Sequence, residues 1–200
     1  MKVFKDFIAG EFISHNVCDS LIEYHAKSIR QKPGMVYNDT DQNLVVNKEV
    51  KDSIDVEFLN TTYHYKNYTQ ELSYVIQNYI DIFNFCNKSA PWGLLENPTI
   101  QKYRPNGGFF KWHCERSSGC QPSASRHLVF MTFLNTVLED GETEFYYQKI
   151  KIKPEKGLTL LWPADWTYTH RGIPSIEEKF IITGWLSFLD NQPVAPINLN

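Results

Sequence analysis

Hydrophobic positions in the first third of the chain recur at helical spacing and predict two helices. The first is predicted to begin after Ser14, a candidate N-cap, and to end at Pro33-Gly34. Its apolar face is predicted to comprise Val17, Leu21, Ile22 and Ile29. Before this helix, the short apolar runs within residues 1–12 are broken by charges and indicate a strand or loop.

The second helical pattern covers about residues 55–86 and follows an irregular polar segment at residues 34–56. Short extended pieces are predicted in that segment at residues 44–46 and 54–56. The strongest part of the pattern carries Leu72, Val75, Ile76, Tyr79, Ile82 and Phe83 at helical spacing. Aromatic residues at this spacing favour packing over a binding stripe. These residues are Tyr63, Tyr65, Tyr68, Tyr74, Tyr79, Phe83 and Phe85.

From Leu94 onward, short extended segments alternate with turn residues such as those of Pro105-Asn-Gly-Gly108. The predicted strands are 97–104, 109–115, 126–135, 143–152, 157–162, 167–171 and 178–189. Two helices followed by about seven strands favour an α+β, mainly β fold. We expect an antiparallel sandwich or barrel with the helices packed on one side.

Composition favours one domain, with residues 1–93 as a helical N-terminal support region and residues 94–190 as a strand-rich core. The 200 residues are 42% hydrophobic, and no Pro-, Gly- or Ser-rich linker divides them. A net charge of −3 with scattered Lys and Arg argues against a nucleic-acid partner. No apolar run approaches the roughly 18 residues of a membrane span.

The N-terminus and the cysteines predict a cytoplasmic protein with reduced thiols. Lys5, Asp6 and Glu11 interrupt the stretch that a signal peptide would keep apolar. The four cysteines form no CxxC pair and are too few for a disulfide scaffold. Cys114 and Cys120 flank Glu115, so a zinc site with His113 is an alternative, although the spacing fits no common zinc template.

Candidate chemistry lies in two distant stretches, Tyr103–Glu115 and His170–Trp185. His113 and Glu115 are two residues apart, so on a strand both side chains leave the same face. With a distant histidine such as His170, they would form the facial set of a non-haem iron site. His-x-Glu alone is more often a surface pair than a ligand set.

Lys179 opens an apolar run in which Lys179, Ile181, Thr183 and Trp185 share one face. A lysine facing the core would require an anionic partner. The alternative is an edge lysine whose ammonium reaches water.

These stretches carry several motifs in a consistent order. They are Tyr103-x-x-x-Gly107-x-x-x-x-x-His113-x-Glu115, Phe133-Leu-Asn135, Gly141-Glu-Thr-Glu-Phe145, Lys153-Pro-Glu-Lys-Gly157 and His170-x-Gly-x-Pro174 with Lys179. In this set the chain resembles the 2-oxoglutarate- and iron(II)-dependent oxygenases of the prolyl 4-hydroxylase-like branch. The resemblance covers about residues 97–189 well and the N-terminal helices only loosely.

The resemblance implies a double-stranded β-helix, a jelly-roll, cupin-like barrel with iron(II) at its mouth. It implies His113, Glu115 and His170 as iron ligands and catalytic residues, and Lys179 as the partner of the far carboxylate of 2-oxoglutarate. The co-substrate pocket would be completed by Tyr103, Thr183, Met131, Phe133 and Trp185. The implied reaction uses dioxygen to hydroxylate a C–H bond, and ascorbate is a candidate accessory reductant.

The chain departs from the family at Glu115, where the usual ligand is Asp. The extra methylene moves the carboxylate by about 1.5 Å, one carbon–carbon bond. A jelly-roll binding protein with weakened catalysis is therefore an alternative. Phe133 also replaces a Tyr found in some relatives. An even-numbered turn at residues 105–108 would turn Tyr103 away from His113, whereas an odd-numbered loop or a glycine bulge would bring both inward.

The resemblance implies a peptide or protein substrate, with peptidyl proline as the best candidate and a non-proline or small-molecule substrate as alternatives. The loop 116–125 is expected at the entrance. Trp112, Trp166 and Tyr168 are candidates for a peptide groove or for packing. Arg126 and Arg171 suit substrate or surface roles equally. His127 is expected to be a satisfied core or rim histidine.

Overall fold

The computed structural model describes residues 1–38 and 43–189, which form fourteen strands, two α-helices and three 3-10 turns. The helices are α1 (His15–Lys27) and α2 (Tyr63–Ile82). The strands are β1 (Lys2–Lys5), β2 (Ile8–Phe12), β3 (Lys32–Pro33), β4 (Val36–Asn38), β5 (Asn43–Val45), β6 (Ile54–Glu57), β7 (Trp92–Leu94), β8 (Thr99–Tyr103), β9 (Arg126–Phe133), β10 (Thr143–Phe145), β11 (Ile150–Ile152), β12 (Leu158–Pro163), β13 (His170–Gly172) and β14 (Lys179–Phe188). The 3-10 turns are Asn84–Asn87, Ser123–Ser125 and Trp166–Tyr168.

Nine antiparallel strands form the main sheet in the order β1-β2-β12-β9-β14-β8-β6-β3, and β7 also pairs with β14. Its centre is β14, whose ten residues pair with β9 on one side and β8 on the other. The N-terminal region supplies β1, β2, β3 and β6 to this sheet, so residues 1–93 contribute more than helical support.

A smaller sheet, β11-β10-β13, forms the second layer. It is extended by an isolated bridge between His113 and His170, which links the two stretches that carry the candidate chemistry. A two-stranded ribbon, β4-β5, lies beside these layers. The two layers and the helices together give the predicted α+β, mainly β architecture.

Two hydrophobic cores lie on opposite faces of the main sheet, because successive side chains of a strand alternate in direction. Phe180, Ile182 and Leu186 of β14 pack with the helices. Ile181, with Trp185 at its edge, packs instead with residues such as Phe145 and Trp162 on the other face. The alternation predicted for β14 is therefore confirmed, and Lys179 lies on the face away from the helices.

The helix bounds differ from the predicted ones at three of the four ends. Helix α1 ends at Lys27, well before Pro33, and Ile29 is fully exposed. Helix α2 begins at Tyr63, where the Thr62 side chain accepts a hydrogen bond from the Tyr65 backbone. The residues before it form β6, as the short extended piece at 54–56 predicted, because pairing with β8 overrides the helical pattern there.

The aromatic residues of the second helical region divide between core and surface. Tyr68 and Tyr79 are buried, as packing residues should be, whereas Tyr63, Tyr74 and Phe85 are exposed. Ser14 occupies the N-cap position of α1, but its hydroxyl donates to Glu71 instead of capping the helix.

Three strand predictions were wrong in detail. Of the predicted strand 167–171 only residues 170 and 171 belong to a strand, β13, because Trp166–Tyr168 form a 3-10 turn. Residues 109–115 make isolated bridges at Phe109 and His113 rather than a continuous strand. Residues 143–152 form two strands, β10 and β11, joined by a tight turn in which Lys149 has a φ of 54°. Residues 39–42 of the predicted irregular segment and residue 190, the predicted end of the core, lie outside the described residues.

Within the described ranges, neither helix is both long and apolar enough to cross a membrane.

Candidate metal centre and co-substrate pocket

A cavity of about 1060 Å³ opens between the two sheets, and both candidate stretches line it. Its inner wall comes from β8, β9 and β14, and its rim includes residues of the loop 116–125. The loop therefore lies at the entrance of the cavity, as expected. The N-terminal segment adds a further wall through residues 35–37, 44–45, 47 and 50–51.

Three side chains, His113, Glu115 and His170, converge on one point in this cavity. Their potential ligand atoms all lie within 4.8 Å of one another. The Nε2 atoms of His113 and His170 lie 3.5 and 3.4 Å from Oε1 of Glu115. The bridge between the two histidine backbones holds two of these side chains together, although no regular strand carries His113.

The hydrogen bonds of the two imidazoles leave both rings ready to bind a cation together with Glu115. Nδ1 of His113 lies 2.9 Å from the Lys111 carbonyl, and Nδ1 of His170 lies 2.9 Å from the Tyr168 carbonyl. Each Nδ1 therefore carries the proton in the neutral ring, and each Nε2 presents a lone pair. Two lone pairs and a carboxylate oxygen facing one another repel unless a cation lies among them, so the donor set fits iron(II).

The pKa shifts favour the same protonation states. Burial lowers the pKa of His113, and the neighbouring His170 lowers it further. Burial alone would raise the pKa of Glu115, but the two histidines outweigh it and hold that pKa well below its ordinary value. An ionised carboxylate beside a neutral imidazole is the form that binds a metal ion.

Aromatic rings fix the orientation of both imidazoles. Phe109 stacks on His113 with ring centroids 3.7 Å apart and planes within 9°. Trp162 and Phe145 pack against His170. Rigid packing of this kind pre-orients the ligands toward one point.

The second oxygen of Glu115 has its own partners. Trp185 Nε1 donates to Oε2 over 2.8 Å, and Arg126 Nη1 lies 3.7 Å from the same oxygen. Oε1 is thereby left to face the imidazoles. Trp185, expected in the co-substrate pocket, does line the cavity, and its indole N–H also donates to the Glu115 carboxylate.

Lys179 lies deeper in the cavity and is 4% exposed. Its ammonium donates to the Gly141 carbonyl over 2.8 Å and makes no salt bridge within residues 1–38 and 43–189. Burial lowers the pKa of Lys179 to about 8. A second buried lysine of the wall, Lys51, is neutralised by Asp55 at 2.7 Å. Lys179 therefore offers an uncompensated positive charge to an anionic ligand.

Tyr103 faces the cavity beside Lys179. The two residues are directly paired between β8 and β14, and the ammonium lies 5.2 Å from the centre of the phenol ring. Tyr103 and His113 both line the cavity, so a simple even-numbered turn at residues 105–108 is excluded. In this loop Asn106 has a φ of 66°, and a Cβ on Gly107 would lie 2.8 Å from the Asp52 carbonyl. The Tyr103 hydroxyl donates to Gln101, and burial raises its pKa well above the ordinary value.

The remaining predicted pocket residues also line the cavity. They are Thr183, Met131 and Phe133. The Thr183 hydroxyl donates to the Phe130 carbonyl over 3.2 Å, so its oxygen lone pairs remain for a ligand.

The zinc alternative has no support in this geometry. The metal-binding group found among the described residues contains no cysteine, and the Cys114 thiol points to the Arg116 carbonyl. His127 binds the Cys86 carbonyl and packs against Trp92 and Phe188, as expected for a satisfied rim histidine. Arg171 pairs with Glu144 and covers the ring of Trp112.

The contributions of three residues to the site were not predicted: those of Phe109, Gln101 and Arg126. Arg126 was assigned equally to substrate or surface, yet it is partly buried and pairs with Glu96. The sequence does show that Arg126 is a charged residue at the start of the otherwise apolar strand β9. That pattern does not identify Glu96 as its partner.

The sequence comparison agrees with this geometry. Residues 98–187 match the 2OG-Fe(II) oxygenase superfamily. The matched stretch contains His113, Glu115, His170 and Lys179 and has the sequence of a 2-oxoglutarate- and iron(II)-dependent oxygenase domain. Enzymes of this family use iron(II), 2-oxoglutarate and dioxygen. No curated protein matches the chain by sequence.

Solved structures of prolyl hydroxylases share the fold of this chain. A viral collagen prolyl hydroxylase from Paramecium Bursaria Chlorella virus-1, in its 2OG complex, is 18% identical, with a TM-score of 0.64 over 92% of this chain and 97% of that chain. A Pseudomonas putida prolyl-4-hydroxylase is 13% identical, with a TM-score of 0.67 over 92% and 93%.

A Trichoplax adhaerens prolyl hydroxylase, in complex with a hypoxia inducible factor peptide fragment, is 14% identical, with a TM-score of 0.71 over 90% of this chain and 82% of that chain. These likenesses confirm the double-stranded β-helix predicted from the motifs.

Proposed function

We propose that this oxygenase hydroxylates peptidyl proline, with iron(II) held by His113, Glu115 and His170 and 2-oxoglutarate anchored by Lys179. The convergence of three ligand atoms within 4.8 Å carries the proposal. A buried ammonium without a carboxylate partner lies in the same cavity. A dicarboxylate that chelates the metal at one end and meets a lysine at the other would use both features.

The residues of the chain have separable tasks in this reaction. Bound iron would supply the oxidative chemistry that couples decarboxylation of 2-oxoglutarate to oxygen insertion into a C–H bond. His113, Glu115 and His170 would hold the iron as a facial set of three ligands, which leaves room for the co-substrate and dioxygen. Lys179 fixes the far carboxylate by charge, and Met131, Phe133 and Ile181 keep that end of the cavity apolar.

A surface of aromatic rings supports a peptide substrate. Trp112 lines the cavity, and the ring of Tyr146 meets the Trp112 ring edge-on, with ring centroids 5.1 Å apart. Tyr147 lies next to Tyr146, and Trp166 lies next to Tyr147, with ring centroids 5.1 and 5.7 Å apart. We call these four residues the aromatic stripe. Tyr146, Tyr147 and Trp166 are 54%, 53% and 61% exposed. Tyr168, the other candidate for a groove, is buried instead.

Exposed aromatic rings beside a cavity are the surface on which proline-rich chains dock, because a polyproline II helix presents rigid apolar rings. The structural neighbours include a collagen prolyl hydroxylase and a prolyl hydroxylase bound to a peptide, which is consistent with such a substrate. We therefore infer that residues flanking the target proline lie on the aromatic stripe.

The activity is tested with iron(II), ascorbate, 2-oxoglutarate and a panel of proline-rich peptides, each paired with a peptide in which alanine replaces proline. We expect oxygen-dependent succinate formation and the gain of one oxygen atom by the proline peptides only. Oxidation of a residue retained in the alanine peptides would identify a non-proline substrate. Absence of succinate across the whole panel would contradict the proposed substrate class.

The aromatic stripe is tested by Trp166→Ala and Tyr147→Ala, with Tyr74→Ala as a matched control. Tyr74 is equally exposed but lies on α2, outside the cavity. We expect the stripe variants to raise KM for long peptides several-fold while kcat and the KM for 2-oxoglutarate stay unchanged. A KM for long peptides equal to that of the control would show that the stripe does not bind substrate.

A further inference from the structure

The carboxylate of Glu115 is held by a chain of contacts that begins at Glu96. Arg126 donates to both oxygens of Glu96, through Nε at 2.9 Å and Nη2 at 2.7 Å. A bidentate pair of this kind fixes the plane of the guanidinium. Both side chains are partly buried, with 15% of Arg126 and 19% of Glu96 exposed, so solvent competes little for these bonds.

The fixed guanidinium then acts on Glu115 in two ways. Its Nη1 donates to the Glu115 backbone carbonyl over 3.0 Å and lies 3.7 Å from Oε2. Its plane also lies against the indole of Trp185, with Cζ 3.5 Å from the ring centre. That contact holds the indole where its N–H meets Oε2 of Glu115 at 2.8 Å.

We propose that Arg126, anchored by Glu96, is a positioning residue that makes the longer carboxylate of Glu115 a one-oxygen metal ligand. The inference rests on the proposed function, in which Glu115 binds iron(II). A glutamate has one more rotatable bond than the usual aspartate and can swing away from the metal or chelate it with both oxygens. Occupying Oε2 with fixed donors leaves Oε1 in the position that both imidazoles face.

Charge alone predicts the opposite effect, and this difference makes the proposal testable. A guanidinium near a divalent cation repels it, so removing Arg126 should tighten metal binding on electrostatic grounds. Loss of positioning should weaken metal binding, because Glu115 would then have to be ordered when the metal binds. The sign of the change therefore separates the two roles.

The experiment measures the Kd for Mn(II) by calorimetry in the full chain and in Arg126→Met. We expect Arg126→Met to raise the Kd about tenfold, which corresponds to about 1.4 kcal/mol. In the Glu115→Asp chain, whose shorter side chain does not depend on these donors, Arg126→Met should change the Kd by less than about threefold. An unchanged or lower Kd for Arg126→Met, or an equal change in both backgrounds, would overturn the proposal.

Arg171→Met is the matched control, because Arg171 also bridges a glutamate and a tryptophan, Glu144 and Trp112, without contacting Glu115. Its Kd for Mn(II) should stay within about twofold of the parent value, because this guanidinium does not orient the Glu115 carboxylate. If Arg126→Met does not fold, Trp185→Phe removes the N–H donor and keeps an aromatic ring at this position, and it should raise the Kd in the same Glu115-dependent way.

The two proposals fail differently. A parent chain that binds no Mn(II) would overturn the metal assignment and, with it, the positioning role. A parent chain that binds Mn(II) with an affinity insensitive to Arg126→Met and Trp185→Phe would overturn the positioning role alone.

Discussion

Lys179 is the residue whose environment most directly requires a ligand. It is buried, its ammonium has a carbonyl rather than a carboxylate as partner, and burial lowers its pKa to about 8. Leaving such a charge in the interior is unfavourable, and an anion that enters the cavity would remove much of that cost. The affinity for 2-oxoglutarate should therefore depend on the protonation of Lys179, and so on pH.

We predict that the affinity for 2-oxoglutarate is highest below pH 8 and falls as the pH rises through 8. The lowered pKa means that the ammonium is charged below this value and loses its proton above it, and a neutral amine cannot pair with a carboxylate. Lys179→Ala should weaken 2-oxoglutarate binding by about 2 kcal/mol or more, roughly a 30-fold rise in Kd.

Calorimetry with Mn(II) in place of iron(II) measures both effects without turnover. In Lys179→Ala the pH dependence above 8 should disappear, while the affinity for Mn(II) itself should change little. Equal losses of metal and 2-oxoglutarate binding would contradict the role assigned to Lys179.

At the scale of single residues, the sequence singled out four side chains that the structure brings to one cavity, but not the residues that orient them. His113, Glu115, His170 and Lys179 could be singled out because each carries a distinctive group within a recognisable motif. The partners of Glu115 were not, since the contact of Arg126 with Glu96 joins residues 30 positions apart. Such pairs depend on strand register, which a single sequence does not specify.

At the scale of elements, burial and pairing decided which predictions were correct. Strands β9, β12 and β14 were predicted because each is a long apolar run between turn residues. The interpretation of residues 109–115 as a strand was wrong, because β6 and β14 already occupy both edges of β8 and this segment makes only isolated bridges. The segment nevertheless brings His113 beside His170 through a single bridge.

A chain of buried hydroxyls joins helix α2 to the main sheet and gives a prediction about stability. The Tyr68 hydroxyl lies 3.0 Å from the Thr132 hydroxyl, which lies 2.8 Å from that of Thr159. All three residues are fully buried. Thr132→Val should lower the free energy of unfolding by about 1–3 kcal/mol, because it leaves the Tyr68 hydroxyl without a partner.

Urea unfolding of single and double variants measures this coupling. Adding Tyr68→Phe to Thr132→Val removes the unpaired hydroxyl, so the double variant should be more stable than the sum of the two single losses predicts. Strictly additive losses would show that the hydroxyls do not act together.

At the scale of the whole molecule, the least predictable feature is the contribution of the N-terminal region to the cavity. Strand β6 pairs with β8, and the Asp52 backbone N–H donates to the Gly108 carbonyl beside the metal-binding segment. These contacts join parts of the chain that local patterns describe separately. The sequence resemblance covered residues 97–189 and therefore predicted the barrel, but not the wall that completes it. Cytoplasmic localisation stays a prediction.

The central claim is that His113, Glu115 and His170 hold iron(II) in a form that 2-oxoglutarate can chelate. Anaerobic titration of the protein with iron(II) and 2-oxoglutarate tests it most directly, through the visible charge-transfer band of the chelate. We predict a saturable band in the parent chain and its loss in Glu115→Ala at the same iron(II) concentration. A parent chain without the band, or a Glu115→Ala variant with an undiminished band, would contradict the claim.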